Sequence, residues 1–227
     1  MRTDKVENNR RVAFYGGSFD PPHNGHLTIA RRMIELFALD EFVFVPAFHA
    51  PHKKDKKPTS AFHRFAMLAL ATEEKEKMRV SKIELDAPEK PYTYETQTKL
   101  KRKFIGAEIF FVIGADSWAE IDTWREWKRV LTLTNIIVVT RPGSEIAFSH
   151  VTDKIRKRIV DLRKIPNFKL QIPNSESKNR KIYITDAVNL DVSSTEIRQG
   201  IRTKKNDWSK RVPSAAAKYI EKYELYI

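Results

Sequence analysis

The stretch "FYGGSFDPPHNGHL", residues 14–27, decides the fold because it joins the first predicted strand to the first predicted helix. The apolar segment "RVAFY" (11–15) predicts a short strand. The glycine pair and the Asp-Pro-Pro turn end that strand, since proline has no N–H to donate to a neighbouring strand. A helix over about 24–37 follows, with four apolar side chains on one face: Leu27, Ala30, Ile34 and Phe37.

The same alternation of strand and helix continues to the end of the chain. Further strands are predicted at 42–45, 78–85, 108–113, 135–140 and 181–185. Helices are predicted from Ser60, a residue type that can cap a helix, to about 77, at 93–103, at about 151–163, and from near Ser194 and Pro213. This pattern predicts an α/β, Rossmann-like parallel sheet with helices on both faces and a small C-terminal helical part. We expect a polar tail at 1–10 and a single domain over 11–227.

Composition limits the classes of function. The chain has 227 residues, no cysteine and a formal net charge of +13. Disulfide and thiolate chemistry are therefore excluded, and anionic partners such as phosphorylated small molecules or nucleic acid are favoured, although a solvated basic surface is the simpler explanation. The first ten residues carry no signal-peptide core, and no apolar run approaches a membrane span. We expect a soluble, cytoplasmic protein with no membrane partner.

The first motif has the features of a phosphate site. His23 and His26 are three residues apart and can project from one side of the first helical turn. A helix N-terminus offers free N–H groups to an anion, and Gly16 and Gly17 let a ligand approach the backbone. A simple tight turn with surface histidines, or a zinc site, are the alternatives. Zinc needs three or four ligands, and neither cysteine nor an H-E-x-x-H motif is present.

A second motif, "VSSTEIRQG" at 192–200, begins another predicted helix. Ser193 and Glu196 have the spacing of a capping box. Ser194, Thr195 and Arg198 would then offer hydroxyls and a guanidinium at a helix start, which suits a polyphosphate.

Together these motifs resemble the bacterial-type nicotinate-nucleotide adenylyltransferase family of the nucleotidyltransferase superfamily. The resemblance runs from about residue 12 to the end and also rests on "VPAFHAPHK", "YTYET", "GADSWAEIDTW", "VVTRPG" and "VPSAAAKYIEKYELY". Ala50 and Pro91 depart from the family, which usually has proline and serine there. The segment 144–180 has no counterpart that we can assign.

The resemblance implies that ATP and nicotinate mononucleotide give nicotinate adenine dinucleotide and pyrophosphate, as a step of NAD biosynthesis. It implies catalytic roles for His23, His26 and Arg198. The implied ATP contacts are Gly16, Gly17, Ser18, Phe19, His52, Lys53, Gly114, Asp116, Ser194 and Thr195. The implied mononucleotide contacts are Tyr92, Thr93, Trp124 and Arg141, with Trp124 stacked on the pyridine ring and Trp127 assigned to the core. Mg²⁺ would accompany ATP, held mainly by the substrate, since no dedicated carboxylate cluster is visible.

Two alternatives stay open at this point. A sibling enzyme of the same fold would use an amidated mononucleotide or phosphopantetheine as acceptor. A nucleic-acid-binding module would explain the charge, but its lysines should cluster on one face with interleaved aromatic residues, whereas here they are scattered. We therefore expect small-molecule substrates and no nucleic-acid partner. The oligomeric state stays undecided, and a homo-oligomer is compatible with the sequence.

Overall fold

A computed structural model describes residues 10–48, 59–87, 89–140, 145–165, 180–188, 192–204 and 207–227. The described strands are Arg11–Gly17 (β1), Glu41–Pro46 (β2), Met78–Val80 (β3), Glu108–Gly114 (β4), Asn135–Val139 (β5), Ile159–Asp161 (β6) and Ile182–Thr185 (β7). The described helices are Asn24–Phe37 (α1), Ala61–Thr72 (α2), Thr93–Lys103 (α3), Ala115–Ala119 (α4), Trp127–Leu133 (α5), Asp153–Arg156 (α6), Ser194–Arg202 (α7) and Ser214–Lys222 (α8).

The strands form one parallel sheet in the order β3-β2-β1-β4-β5-β7-β6. Alternate side chains enter two separate cores: Val12 and Phe14 lie in one cluster, and Ala13 between them lies in the other. Helix α1 covers the second face through Met33 and Phe37. Helices α3 and α5 cover the first face, so the predicted three-layer α/β architecture is confirmed.

The sheet order places a crevice where ligands bind in folds of this kind. From β1 the chain proceeds outward through β2 and β3, and then returns to place β4 on the other side of β1. The carboxyl ends of β1 and β4 therefore meet at the topological switch point, where helices leave in opposite directions. Gly17 ends β1 and Gly114 ends β4, so the first motif and "GAD" (114–116) share this edge.

The predicted strand at 78–85 is too long. Only Met78–Val80 pairs with β2. The Ser81 hydroxyl then accepts a hydrogen bond from the Ile83 N–H at 3.2 Å, which bends the backbone out of the ladder. The turn at 83–86 that follows brings Glu84 to the wall of the cavity described below.

The predicted helix at about 151–163 is wrong apart from its first turn. Helix α6 has only four residues, and the next segment forms the edge strand β6, which pairs with β7. The β-branched residues Ile159 and Val160 favour a strand, and β7 offers them a free edge. The helix predicted from Ser60 to about 77 is real but ends at Thr72, and the Ser60 hydroxyl caps it by accepting from the Phe62 N–H.

Candidate active site

The two histidines of the first motif form one stacked unit at the start of α1. Their ring centroids are 3.6 Å apart at an interplanar angle of 23°. The His23 backbone N–H donates to Nδ1 of His26 at 3.1 Å. An unprotonated Nδ1 places the proton of neutral His26 on Nε2. His26 therefore presents a single N–H donor whose tautomer the backbone selects.

Both imidazoles are neutral at pH 7. Burial lowers the pKa of His23 from 6.5 to about 4. The pKa of His26 is lowered well below its ordinary value, mainly by burial and to a smaller extent by the neighbouring His23. The pair therefore acts through hydrogen bonds, while the positive end of the α1 dipole supplies the electrostatic attraction for an anion.

The shifted pKa of His23 predicts a pH-dependent stability. The unfolded chain binds more protons than the folded chain between pH 6.5 and 4, so stability is present above 6.5 and is lost as the pH falls. For His23 the loss is about 3 kcal/mol across that window. Urea unfolding of wild type and His23→Asn from pH 7.5 to 4 should show their difference in unfolding free energy shrinking toward low pH. A constant difference would contradict the assigned burial of a neutral imidazole.

Three glycines of this motif lie close against neighbouring side chains. A Cβ on Gly25 would lie 2.9 Å from Nδ1 of His23, and a Cβ on Gly17 would lie 2.9 Å from the Phe19 ring. A Cβ on Gly16 would lie 3.2 Å from Phe111. None of the three has a positive φ, whereas Phe19 does, at 48°. The Phe19 ring is buried against His26 and other aromatic rings, so only its backbone is available to a ligand.

The second motif lies directly against the first. The Ser194 hydroxyl donates to the carbonyl of Pro21 at 3.0 Å, and Arg198 donates to the carbonyl of Asp20 at 2.5 Å. Arg198 also donates to the Thr195 hydroxyl oxygen at 3.2 Å. Two helix N-termini far apart in sequence therefore converge on one site. Because Ser194 uses its only hydrogen on Pro21, the Thr195 O–H is the freer donor of the two.

The capping box of this helix is only half formed. The Ser193 hydroxyl accepts from the Glu196 N–H at 3.1 Å, as predicted. The Glu196 side chain, however, pairs with Arg211 at 3.0 Å, because the C-terminal segment places that guanidinium beside it.

Sequence reasoning missed a buried network beneath the first motif. Arg64 is 1% exposed and donates to the carbonyls of Ser18 (2.5 Å), Ala47 (2.7 Å) and Thr59 (2.9 Å). Asp20 is also buried and accepts from the Tyr226 hydroxyl at 2.8 Å. Burial and then the Asp20 charge raise the pKa of Tyr226, so it stays a donor. The available signal was an arginine within the apolar helix "AFHRFAMLAL" (61–70).

A cavity of about 320 Å³ opens beside the phosphate motif. Its walls come from the ends of three strands, the start of α3 and the segment 123–125: Gly16, Gly17, Ser18, Val45, Ala47, Glu84, Lys90, Pro91, Tyr92, Thr93, Phe111, Ile113, Ser117, Thr123, Trp124 and Arg125. Trp124 is in this wall and its buried Nε1 has no hydrogen-bond partner among the described residues. Trp127 is not in the wall, and both tryptophans pack against the same core cluster.

The start of α3 offers fewer donors than the sequence suggested. The Tyr92 backbone N–H donates to Oε2 of Glu95 at 2.9 Å, so it is already occupied. Thr93 is the first residue of α3 and lies in the cavity wall.

The remaining predicted contacts fall into two groups. Gly114 ends β4 at the crevice. A Cβ added to it would meet nothing within 4 Å, so the space beside this residue is open. Asp116 lies in the first turn of α4 and is exposed. His52, Lys53 and Arg141 lie outside the described residues.

The described ranges contain neither a metal-binding group of side chains nor a helix that could span a membrane. No three histidine, aspartate or glutamate side chains come together in a way that could hold a metal ion. Asp20, the acid nearest the phosphate motif, is already used by Tyr226 and by the Thr59 N–H. In the same part of the chain, no helix is long and apolar enough to cross a membrane.

Comparison with known proteins identifies the family of the chain. The model of the cytidylyltransferase-like family matches residues 14–200. A probable nicotinate-nucleotide adenylyltransferase of Desulfatibacillum aliphaticivorans is 33% identical over 219 residues, covering 96% of this chain and 100% of that relative. A protein of the same name from Neisseria gonorrhoeae is 34% identical, covering 96% and 98%. The nicotinic acid mononucleotide adenylyltransferase of Plasmodium falciparum, solved with NaAD, has a TM-score of 0.70 at 23% identity, covering 96% and 97%.

The family model, which matches most of the chain, defines the class of the protein: the chain is a cytidylyltransferase-like nucleotidyltransferase. The structural likeness, at 23% identity, supports the fold alone. The full-length relatives go further, since they exceed 30% identity over nearly the whole of both chains. The chain belongs to the nicotinate-nucleotide adenylyltransferase family.

Proposed function

We propose that the protein transfers the adenylyl group of ATP to nicotinate mononucleotide, giving nicotinate adenine dinucleotide and pyrophosphate. The observation that carries the proposal is the convergence of α1 and α7 on one anion site beside an open cavity. A triphosphate fits the site between two helix starts. A mononucleotide with an aromatic ring fits a cavity walled by Trp124 and Tyr92.

The proposed reaction is a direct displacement. A phosphate oxygen of the mononucleotide attacks the α-phosphorus of ATP, a P–O bond forms, and the bond to the β-phosphate oxygen breaks. Nε2–H of His26 and the free N–H groups of α1 stabilise the charge that develops on the α-phosphate oxygens. Thr195 and Arg198 hold the leaving pyrophosphate, which carries the released electron pair. Gly114 and Asp116 face the adenosine ribose.

Mg²⁺ that accompanies ATP would neutralise part of the charge on its phosphates. The described residues offer no acidic cluster for the ion, and the nucleotide would carry it into the site.

Purified protein supplied with ATP, Mg²⁺ and nicotinate mononucleotide should release pyrophosphate. Nicotinamide mononucleotide should be used about tenfold or more slowly, because it lacks the charge that a cationic cavity attracts. A pyrophosphate-coupled assay with both acceptors and with phosphopantetheine measures this. Equal or faster turnover of the amide would overturn the acid preference, and preferred use of phosphopantetheine would identify the sibling activity.

The proposed partners are these two small molecules, without nucleic acid, and the proposed location is the cytoplasm. A nucleic-acid function would instead give RNA or DNA binding that weakens steeply with salt, and no pyrophosphate release.

A homo-oligomer is compatible with this assignment, and light scattering of the purified protein would determine the oligomeric state.

A further inference from the structure

The cavity beside the phosphate motif carries more positive than negative charge. Lys90 and Arg125 are its cationic wall residues, and Glu84 is its single acidic one among the described walls. Burial raises the pKa of Glu84, and its carboxylate already accepts from the Thr96 hydroxyl at 3.0 Å. The wall itself gives the two cations no further acidic partner, and Glu95, which lies near Arg125, is outside the wall. The excess of positive charge in the wall favours an anionic group on whatever enters.

Arg125 is held in place at this wall. Its guanidinium carbon lies 4.7 Å from the centroid of the Tyr92 ring. The stack restricts a long side chain that would otherwise sample many rotamers in solvent. Arg125 also follows Trp124, and both residues belong to the cavity wall, so a ligand ring that contacts Trp124 enters the cavity that Arg125 lines.

A ligand ring that carries a carboxylate needs a hydrogen-bond donor from the protein. The start of α3 supplies such donors only in part. The Tyr92 N–H is committed to Glu95 and cannot serve a ligand without breaking that bond. A guanidinium provides a planar pair of N–H groups that matches a carboxylate, whereas an amide accepts with one oxygen and carries no charge.

Resting on the proposed function, we propose that Arg125 is a specificity-determining residue, which makes the cavity prefer a pyridine mononucleotide with a ring carboxylate over its amide.

The chain offers a matched control for this residue. Arg129 lies four residues further on, in α5, and its guanidinium carbon is 5.2 Å from the centroid of the Tyr94 ring, much as that of Arg125 is from the Tyr92 ring. Both arginines are exposed, but Arg129 is not in the cavity wall. Replacing either arginine by glutamine removes one positive charge and one cation–π contact. A difference between the two variants therefore reports a contact of Arg125 with the ligand.

The test is equilibrium binding, which does not depend on turnover. Isothermal titration calorimetry gives the Kd of nicotinate mononucleotide and of nicotinamide mononucleotide for wild type, Arg125→Gln, Arg125→Lys and Arg129→Gln. We expect Arg125→Gln to reduce the acid-over-amide preference about tenfold, the value of one charge-assisted hydrogen bond in a partly solvated site. Arg125→Lys should keep only part of the preference, because it retains the charge but lacks the planar pair of N–H groups, and Arg129→Gln should keep all of it.

An unchanged preference in Arg125→Gln would overturn the proposal, as would an equal loss in Arg129→Gln or a complete loss in Arg125→Lys. Failure of wild type to prefer the acid would overturn it as well. Binding with the expected preference but without pyrophosphate release would leave this inference standing and refute the proposed reaction, so the two are separable.

Discussion

Replacement of His26 by alanine should lower kcat by about 10²- to 10³-fold, the usual cost of removing one preorganised donor from a developing oxyanion. The lost group is the Nε2–H, whose position depends on the hydrogen bond from the His23 N–H to Nδ1 and on the stack with the His23 ring. Since the imidazole is neutral in the folded protein, the loss should be the same from pH 6 to 8.

Two further variants isolate this effect from stability. Alanine removes a ring that packs at 4.9 Å against Phe19, so part of any loss could come from unfolding. His26→Asn retains an oxygen that can accept from the His23 N–H but lacks the Nε2 donor, and it should also lose activity. His63→Ala removes another imidazole, hydrogen-bonded to Tyr219 away from the cavity, and should retain normal kcat. Near-normal turnover of both His26 variants, with melting temperatures like wild type, would remove His26 from catalysis.

The sequence predicted the elements whose signals are local. Helices α1 and α3 have the predicted bounds because capping residues, apolar spacing and flanking turns lie within each segment. The central strands are continuous apolar runs that only a sheet buried on both faces accommodates. The segments at 78–85 and 151–163 were misjudged because their structure depends on neighbours. The first segment has no further pairing with β2 after Val80. The second contains β6, which pairs with the edge of β7.

The same distinction separates the site residues that sequence reasoning identified from those that it missed. His23 and His26 are on one helical turn, so their spacing predicts their proximity. The bond between Tyr226 and Asp20 spans 206 residues, and no periodicity indicates it. The occupied N–H of Tyr92 could have been anticipated, since Glu95 is three residues further on and can reach back as a capping box does.

Arg64→Met should cause the largest loss of stability among single substitutions near the site. The change leaves three partly buried carbonyls without this donor and leaves the buried Asp20 without its neighbouring cation. Loss of one member of a buried charge network costs about 3–5 kcal/mol. Those carbonyls belong to Ser18, Ala47 and Thr59, so the guanidinium also positions the loop after β1 beside the end of β2. We therefore expect kcat to fall about 10- to 100-fold in molecules that remain folded.

Arg158→Met separates the two effects. Arg158 also donates to two backbone carbonyls, those of Leu131 and Arg180, but it lies at the β6 side of the sheet, away from the cavity. It should lower the free energy of unfolding in urea without changing kcat below the melting transition. Tyr226→Phe, which removes one hydrogen bond to Asp20, should reduce kcat and stability mildly even if Arg64→Met does not fold. Normal kcat in folded Arg64→Met and in Tyr226→Phe would mean that this network stabilises the fold without positioning the phosphate loop.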